Sequence, residues 1–76
     1  MTDFSSTYPD ITAWTESYGW IEIGQDEDSQ SFIRVLDIGG TRWEGKPNYN
    51  SFDDALNDLE AALEKIIERI KFDAPV

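Results

Sequence analysis

Carboxylates dominate the side chains of this sequence that could do chemistry. Aspartate and glutamate together number 16, while histidine and cysteine are both absent. Without them, the serines and threonines have no partner base for nucleophilic catalysis, and zinc has no thiolate or imidazole ligand. A catalytic carboxyl pair needs a raised pKa inside a cleft, and most acids here fall at positions that we expect to be exposed. The residue types therefore favour a protein that is not an enzyme and that has no cofactor.

One acidic run, Asp26-Glu27-Asp28, has the composition of a cation site. A calcium-binding loop also needs a glycine at its sixth position and a glutamate at its twelfth, and neither follows here. We therefore interpret the polar segment 25–30 as a solvated loop between two strands. Its carboxylates would serve solubility, and we expect no metal site.

The charge balance narrows the choice of partners. Six basic residues oppose the acids, and the net charge is −10. Nucleic acids and anionic membranes would repel such a chain, so we expect neither as a direct partner, whereas a basic protein would be attracted. No apolar run exceeds three residues, so no transmembrane helix or signal-peptide core is predicted. With no cysteine to imply an oxidising compartment, we expect a cytoplasmic protein.

A short helix is predicted from Pro9, because proline and the acid after it suit a first helical turn. Gly19 would end this helix as a left-handed cap. Residues 1–8 are polar and lack periodicity, so we expect them to fray. The apolar side chains that would pack this helix onto the rest of the chain are Ile11, Trp14 and Tyr18.

Three strands are predicted next, over residues 20–24, 32–38 and 41–44, because each segment alternates or is rich in strand-forming residues. The pair Gly39-Gly40 separates the last two strands and predicts a two-residue hairpin turn. The turn residues of segment 45–50 then lead to the final element.

The turn decides which face of the sheet is buried. With Gly39-Gly40 as the turn, Leu36 lies opposite Trp43. We then predict a core face made of Phe32, Leu36, Ile38 and Trp43, with Arg34 on the same face near an edge. The other face would expose Ile33 and Val35 beside charged residues. A different turn register would exchange the two faces.

The final segment predicts a long amphipathic helix. Ser51 is a favourable N-cap, with Asp54 three residues later. Acids crowd the first half of the segment and bases the second, as the helix dipole prefers. Its apolar residues step by three and four, with Ala55 and Ile67 widening a stripe made of Phe52, Leu56, Leu59, Leu63, Ile66 and Ile70. This width suits packing on a sheet better than a coiled-coil seam.

These elements predict one α+β domain over residues 1–76, in the order α-β-β-β-α, with residues 73–76 as a tail. A three-stranded antiparallel sheet would be packed by the long C-terminal helix, and a short helix would precede the sheet.

The predicted interaction surface centres on tryptophan. Trp20 alternates onto the face of Glu22, so we expect it to be partly exposed, and exposed tryptophans often anchor interfaces. Ile33 and Val35 would form an open sheet face. Ile67, Ile70 and Phe72, at the overhanging end of the helix, could meet a second copy. We therefore hypothesise a protein-interaction module that binds a protein partner or itself. The alternative is an acidic inhibitor of a basic partner, either antitoxin-like or a mimic of nucleic acid.

Several segments together resemble a group of short acidic proteins of cyanobacteria and other bacteria. They are Tyr18–Gly24, Leu36–Gly40, Trp43-Glu44-Gly45 and Ser51–Leu56. The resemblance covers most of the chain. It implies a bacterial origin and a cytoplasmic location, but no site residues, because the group has no assigned function.

A second, partial resemblance rests on the strand pair followed by Ser51-Phe52-Asp53-Asp54-Ala55-Leu56. It is similar to the end of the HicB-type antitoxin core, which implies an acidic, oligomeric protein that binds a small basic RNA-cleaving toxin. The chain departs from that pattern in having a helix before its strands and no separate DNA-binding segment. The order α-β-β-β-α also resembles the double-stranded-RNA-binding domain, but acids stand where that domain needs bases.

Overall fold

The computed structural model describes residues 4–24 and 30–73 of the chain. Its three strands form one antiparallel sheet in the order β1-β2-β3. The predicted α+β class and element order are confirmed, and residues 4–7 add a single helical turn where fraying was predicted. The acidic loop 25–29 lies outside the described residues. The elements are α1 (Phe4–Thr7), α2 (Pro9–Ser17), β1 (Trp20–Ile23), β2 (Ile33–Asp37), β3 (Gly40–Glu44) and α3 (Phe52–Asp73).

The helices α2 and α3 begin where local sequence signals place them. Pro9 opens α2, and the backbone N–H of Asp54 donates to Ser51 Oγ at 3.1 Å at the start of α3. The helix α3 is amphipathic, and no helix of the described residues is both long enough and apolar enough to span a bilayer.

Gly19 follows the end of α2, but it does not end the helix in the way that was predicted. Among the described residues, only Gly24 and Gly40 have a positive φ, so Gly19 is not a left-handed cap. Its N–H joins that of Tyr18 in donating to the Trp14 carbonyl oxygen, both at 2.9 Å. A Cβ at position 19 would overlap the Leu36 carbonyl oxygen. Glycine is needed here because the chain between α2 and β1 passes directly against the backbone of β2.

The β2–β3 hairpin turns one residue earlier than the glycine pair predicts. Asp37 pairs with Gly40, so the turn consists of Ile38 and Gly39. Gly40 has a φ of 119°, a value that L side chains rarely adopt, and it opens β3 instead of closing the turn.

A β-bulge then shifts the register within β3. Leu36 pairs with Thr41, but its neighbour Val35 pairs with Trp43, which leaves Arg42 as the extra residue. The bulge returns Trp43 to the face of Val35 and keeps its ring against the core.

The changed register exchanges the two faces of β2. Ile33 and Val35, predicted to be open, are both 0% exposed, whereas Ile38, predicted to be in the core, is fully exposed at the turn. Moving a strand by one residue turns every side chain to the other side, which is the physical reason for the error. Leu36 and Arg34 consequently lie on the face that the core does not use.

The core lies between the Ile33 face of the sheet and the helices α2 and α3. Trp14 is its largest fully buried side chain, and its Nε1 donates to the Leu36 carbonyl oxygen at 3.1 Å. Burying each large apolar side chain here contributes about 1.5–3 kcal/mol. The buried apolar residues are Ile11, Trp14, Ile33, Val35, Ala55, Leu59, Leu63 and Ile67.

The end of α3 offers only part of the apolar surface predicted for a second copy. Ile67 is only 5% exposed and belongs to the core, and Ile70 is partly buried against that core. The helical period turns both inward, because they continue the stripe that begins at Ala55. Phe72, the third residue predicted to meet a second copy, lies two residues beyond Ile70 and is 89% exposed.

A carboxylate from α3 caps the start of α2. Tyr8, at the N-cap position, makes no side-chain cap. Instead, Glu60 accepts from the backbone N–H groups of Asp10 and Ile11 at 2.9 and 3.0 Å. These N–H groups have no partner within their own helix, and a negative charge is stabilised at this end of the dipole. Burial, followed by the nearby Asp10 carboxyl, raises the pKa of Glu60 despite the two N–H contacts.

We predict that mild acid stabilises this fold through Glu60. Its folded-state pKa lies above the ordinary value of 4.5, so the folded state binds more protons between those two values. The free energy of unfolding therefore falls as the pH rises through that window. Urea unfolding at several pH values measures the slope of the free energy of unfolding against pH. This slope should be negative in the wild type and weaker in Glu60→Gln.

The matched control is Glu64→Gln, which removes the same charge from an exposed position on the same helix. It should keep the slope of the wild type. Equal slopes for the two variants would contradict the assigned role of Glu60.

Candidate interaction surface

The sheet face turned away from the helices carries the residues most suited to recognition. Cross-strand pairs place Trp20 beside Leu36, Glu22 beside Arg34, and Arg34 beside Glu44. We call this set of five residues the outer sheet face. The described helices pack on the opposite face, and the molecule is only 17 Å thick along its shortest axis, the dimension of two layers.

Arg34 is the structural centre of this face. It is only 6% exposed although it is charged. Its Nε donates to Glu22 Oε1 at 3.2 Å, its Nη1 to the Ser31 carbonyl at 2.7 Å, and its Nη2 to the Gly24 carbonyl at 2.9 Å. A buried charge is tolerated only when it is paired and hydrogen-bonded, and these contacts meet that condition.

The structure corrects the prediction that Arg34 lies near an edge so that water can reach its charge. Arg34 stands on β2, the central strand. Protein acceptors, and not water, balance its guanidinium. The acceptors on Gly24 and Ser31 flank the β1–β2 connection, so one side chain fixes both ends of that connection.

Trp20 is held in place by the same network. Its indole Nε1 donates to Glu22 Oε2 at 3.3 Å, while the other oxygen of Glu22 contacts Arg34. The indole is 46% exposed, so the predicted partial exposure is confirmed. Leu36, directly across on β2, is partly buried and extends the apolar area. The face thus presents an oriented aromatic side chain, and little conformational freedom would be lost when a partner binds it.

The five predicted interaction residues do not form one surface. Of these, only Trp20 lies on the outer sheet face. Ile33 and Val35 are buried under the helices, and Ile67 and Ile70 pack in or against the core.

Sequence reasoning missed the roles of Leu36, Glu22 and Arg34. The sequence did contain a signal for these roles. Arg34 is on the second predicted strand, and the first and third predicted strands each contain a glutamate, Glu22 and Glu44. Opposite charges on neighbouring strands stabilise a sheet when they are paired. That pairing would have placed Arg34 opposite both acids and so indicated the observed register.

A concave surface lies at the start of α3. The rings of Phe32 and Phe52 are 6.2 Å apart at 88°, and those of Phe32 and Tyr49 are 6.4 Å apart at 61°. With Pro47 they line an open groove of about 450 Å³. We call these four residues the aromatic groove. Phe52 is about half exposed, so the groove is accessible from solvent.

Tyr49 forms the most strongly anchored wall of this groove. Its hydroxyl donates to Asp58 Oδ2 at 2.6 Å and accepts the backbone N–H of Lys46 at 2.9 Å. The Lys46 ammonium lies 5.8 Å from the ring centroid. Burial, and then the hydrogen bond to Asp58, raise the pKa of Tyr49. The hydroxyl therefore stays protonated and serves as a hydrogen-bonding support for the ring.

The hairpin end carries a separate, exposed ion pair. Arg42 Nε lies 2.6 Å from Asp37 Oδ2, and this hydrogen bond is the main cause that lowers the pKa of Asp37. The two side chains contact each other although their residues are not paired in the register. Within residues 4–24 and 30–73, no group of three acidic side chains is placed to hold a metal ion.

No protein-family model matches the chain, and comparisons with curated proteins and with solved structures find no match either. The resemblances to short acidic bacterial proteins and to the HicB-type antitoxin core therefore stay predictions. The fold and the outer sheet face define a two-layer α+β domain with one sheet face turned away from the helices.

We predict that Arg34 and Arg42 differ sharply in their contribution to stability. Arg34→Met leaves buried carbonyl acceptors without a donor, so we expect a loss of about 1–3 kcal/mol. Arg42→Met breaks an exposed pair and should change stability by less than about 1 kcal/mol. Urea unfolding of both variants measures the difference. If Arg34→Met lost no more free energy of unfolding than Arg42→Met, the stabilising role of the Arg34 network would be contradicted.

Proposed function

We propose that this chain is a small acidic protein-interaction module without enzymatic activity, and that it binds a protein partner through the outer sheet face. The observation that carries the proposal is the half-exposed Trp20, held over Glu22 by the buried Arg34. Residues that contribute most to binding at protein interfaces are enriched in tryptophan.

The composition of the face supports a macromolecular partner. Trp20 and Leu36 form an apolar pair at one end of the face, and the charged residues Glu22, Arg34 and Glu44 lie beside it. Aromatic residues and arginine are enriched in protein–protein interfaces. Small molecules are usually bound in concave pockets, whereas this face is the surface of a three-stranded sheet.

The charge supports a basic partner. At a net charge of −10 the chain would attract a positively charged protein and accelerate its encounter. We place this interaction in the bacterial cytoplasm, in line with the resemblance and with the absence of cysteine.

The alternative function, an acidic inhibitor that neutralises a basic partner by charge alone, also draws on the net charge. It would use carboxylates that are free to face the partner. Several carboxylates of the described residues instead contact donors of their own chain: Glu22, Asp37, Asp58 and Glu60. This use of acids within the fold favours the anchored interface.

The test compares Trp20→Ala with Phe4→Ala, which removes an aromatic side chain of similar exposure on the helical side of the molecule. A partner is first captured from host lysate, and its dissociation constant is then measured for each purified variant. Trp20→Ala should weaken binding by about thirtyfold or more, as for a hot-spot residue. Phe4→Ala should bind like the wild type.

The same titrations at low and high salt separate the two functions. An anchored apolar interface predicts a modest salt effect and a large effect of Trp20→Ala. A charge-only inhibitor predicts steep weakening by salt. Binding unchanged by Trp20→Ala would contradict the proposed role of the outer sheet face.

A further inference from the structure

The solvent side of α3 carries an ordered stripe of side chains. Its members follow one another at intervals of three or four residues, so they share one face of the helix. That face is a flank of α3 beside the buried positions Ala55, Leu59, Leu63 and Ile67, and its members are exposed except for Asp58, which is partly buried. We call it the outer helix stripe, and it consists of Asp54, Asp58, Ala61, Lys65, Arg69 and Phe72.

The charges of this stripe are opposite on the two sides of its centre and stand at matching distances from it. Asp54 and Asp58 precede Ala61, while Lys65 and Arg69 follow it. If two copies of α3 pack antiparallel about a two-fold axis near residues 61 and 62, Asp54 faces Arg69 of the second copy. In the same register Asp58, whose Oδ2 accepts the Tyr49 hydroxyl at 2.6 Å, faces Lys65 of the second copy. Each pair occurs twice, because a two-fold interface uses the same patch from both copies.

The middle of the stripe permits close approach. Ala61 is exposed and Ala62 is partly buried, so neither holds a neighbouring helix away with a long side chain. Packed helices lie about 8–10 Å apart, and small residues at the crossing favour the short end of that range. At such a distance the charged side chains on either side can reach one another.

The two ends of the outer helix stripe also complement each other, independently of the charges. Phe72 is 89% exposed, a costly state for a phenyl ring in water. In the antiparallel register, Phe72 lies level with Ser51 of the second copy. Ser51 borders the aromatic groove, whose exposed wall is Phe52 and whose volume of about 450 Å³ can admit a ring. The exposed aromatic residue at one end thus meets an aromatic groove at the other.

We propose that the protein forms an antiparallel homodimer through the outer helix stripe, with Phe72 of each copy in the aromatic groove of the other. Four ion pairs then offset part of the repulsion between two chains of net charge −10. The interface leaves the outer sheet face free in both copies, because that face lies on the other side of the molecule. The dimer would present two such faces to a partner and gain from bivalent binding.

The test measures the dimerisation constant of the full chain by sedimentation equilibrium for charge-exchanged variants. Asp54→Arg and Arg69→Asp each place like charges opposite one another at two places. We expect each single variant to dimerise about tenfold more weakly or worse. The double variant Asp54→Arg/Arg69→Asp restores opposite charges and should return close to the wild-type constant. Phe72→Ala should also weaken the dimer.

The matched control is Glu16→Lys, which reverses an exposed charge on α2 outside the stripe and should leave dimerisation unchanged. Circular dichroism confirms that each variant is folded before it is measured. A wild type that stays monomeric throughout the concentration range would overturn the proposal. A folded double variant that dimerises no better than the single variants would overturn it as well.

Discussion

The register of the β2–β3 hairpin is the constraint on which the rest of the structure depends. Because the turn falls at Ile38 and Gly39, Val35 points into the helical layer and Leu36 points away from it. The bulge keeps Trp43 on the buried side despite this shift. If the turn moved by one residue, β2 would turn its buried side chains to water. Both the core and the outer sheet face therefore depend on a turn that the sequence specifies only weakly.

The outer sheet face also shows how an acidic chain uses its carboxylates. Glu22 divides its two oxygens between Arg34 and Trp20, so a buried cation orients an exposed aromatic ring. Glu60 performs a similar task between helices by capping α2 from α3. The high negative charge disfavours the compact state by self-repulsion. Glu22 and Glu60 carry part of that charge, and their carboxylates nonetheless make contacts on which the architecture depends.

The two main helices were predicted correctly from the sequence, but the faces of the sheet were not. Pro9 and Ser51 act locally, so their signals remain valid whatever the rest of the chain does. The assignment of Val35 required knowledge of both a turn and a bulge, and the pair Gly39-Gly40 fits more than one turn. Trp20 was identified correctly because simple alternation with Glu22 suffices on β1. Its neighbours on β2 could not be placed without the register.

The most direct test of this account places one aspartate at each of two adjacent positions on β2. Val35→Asp buries a carboxylate among the helices and should leave the chain unfolded, because an unpaired buried charge is strongly destabilising. Leu36→Asp places it on the outer sheet face, where water can reach it, and the chain should remain folded. Circular dichroism and urea unfolding measure whether each variant is folded and how stable it is. A folded Val35→Asp together with an unfolded Leu36→Asp would contradict the assignment of the faces, and with it the proposed interaction surface.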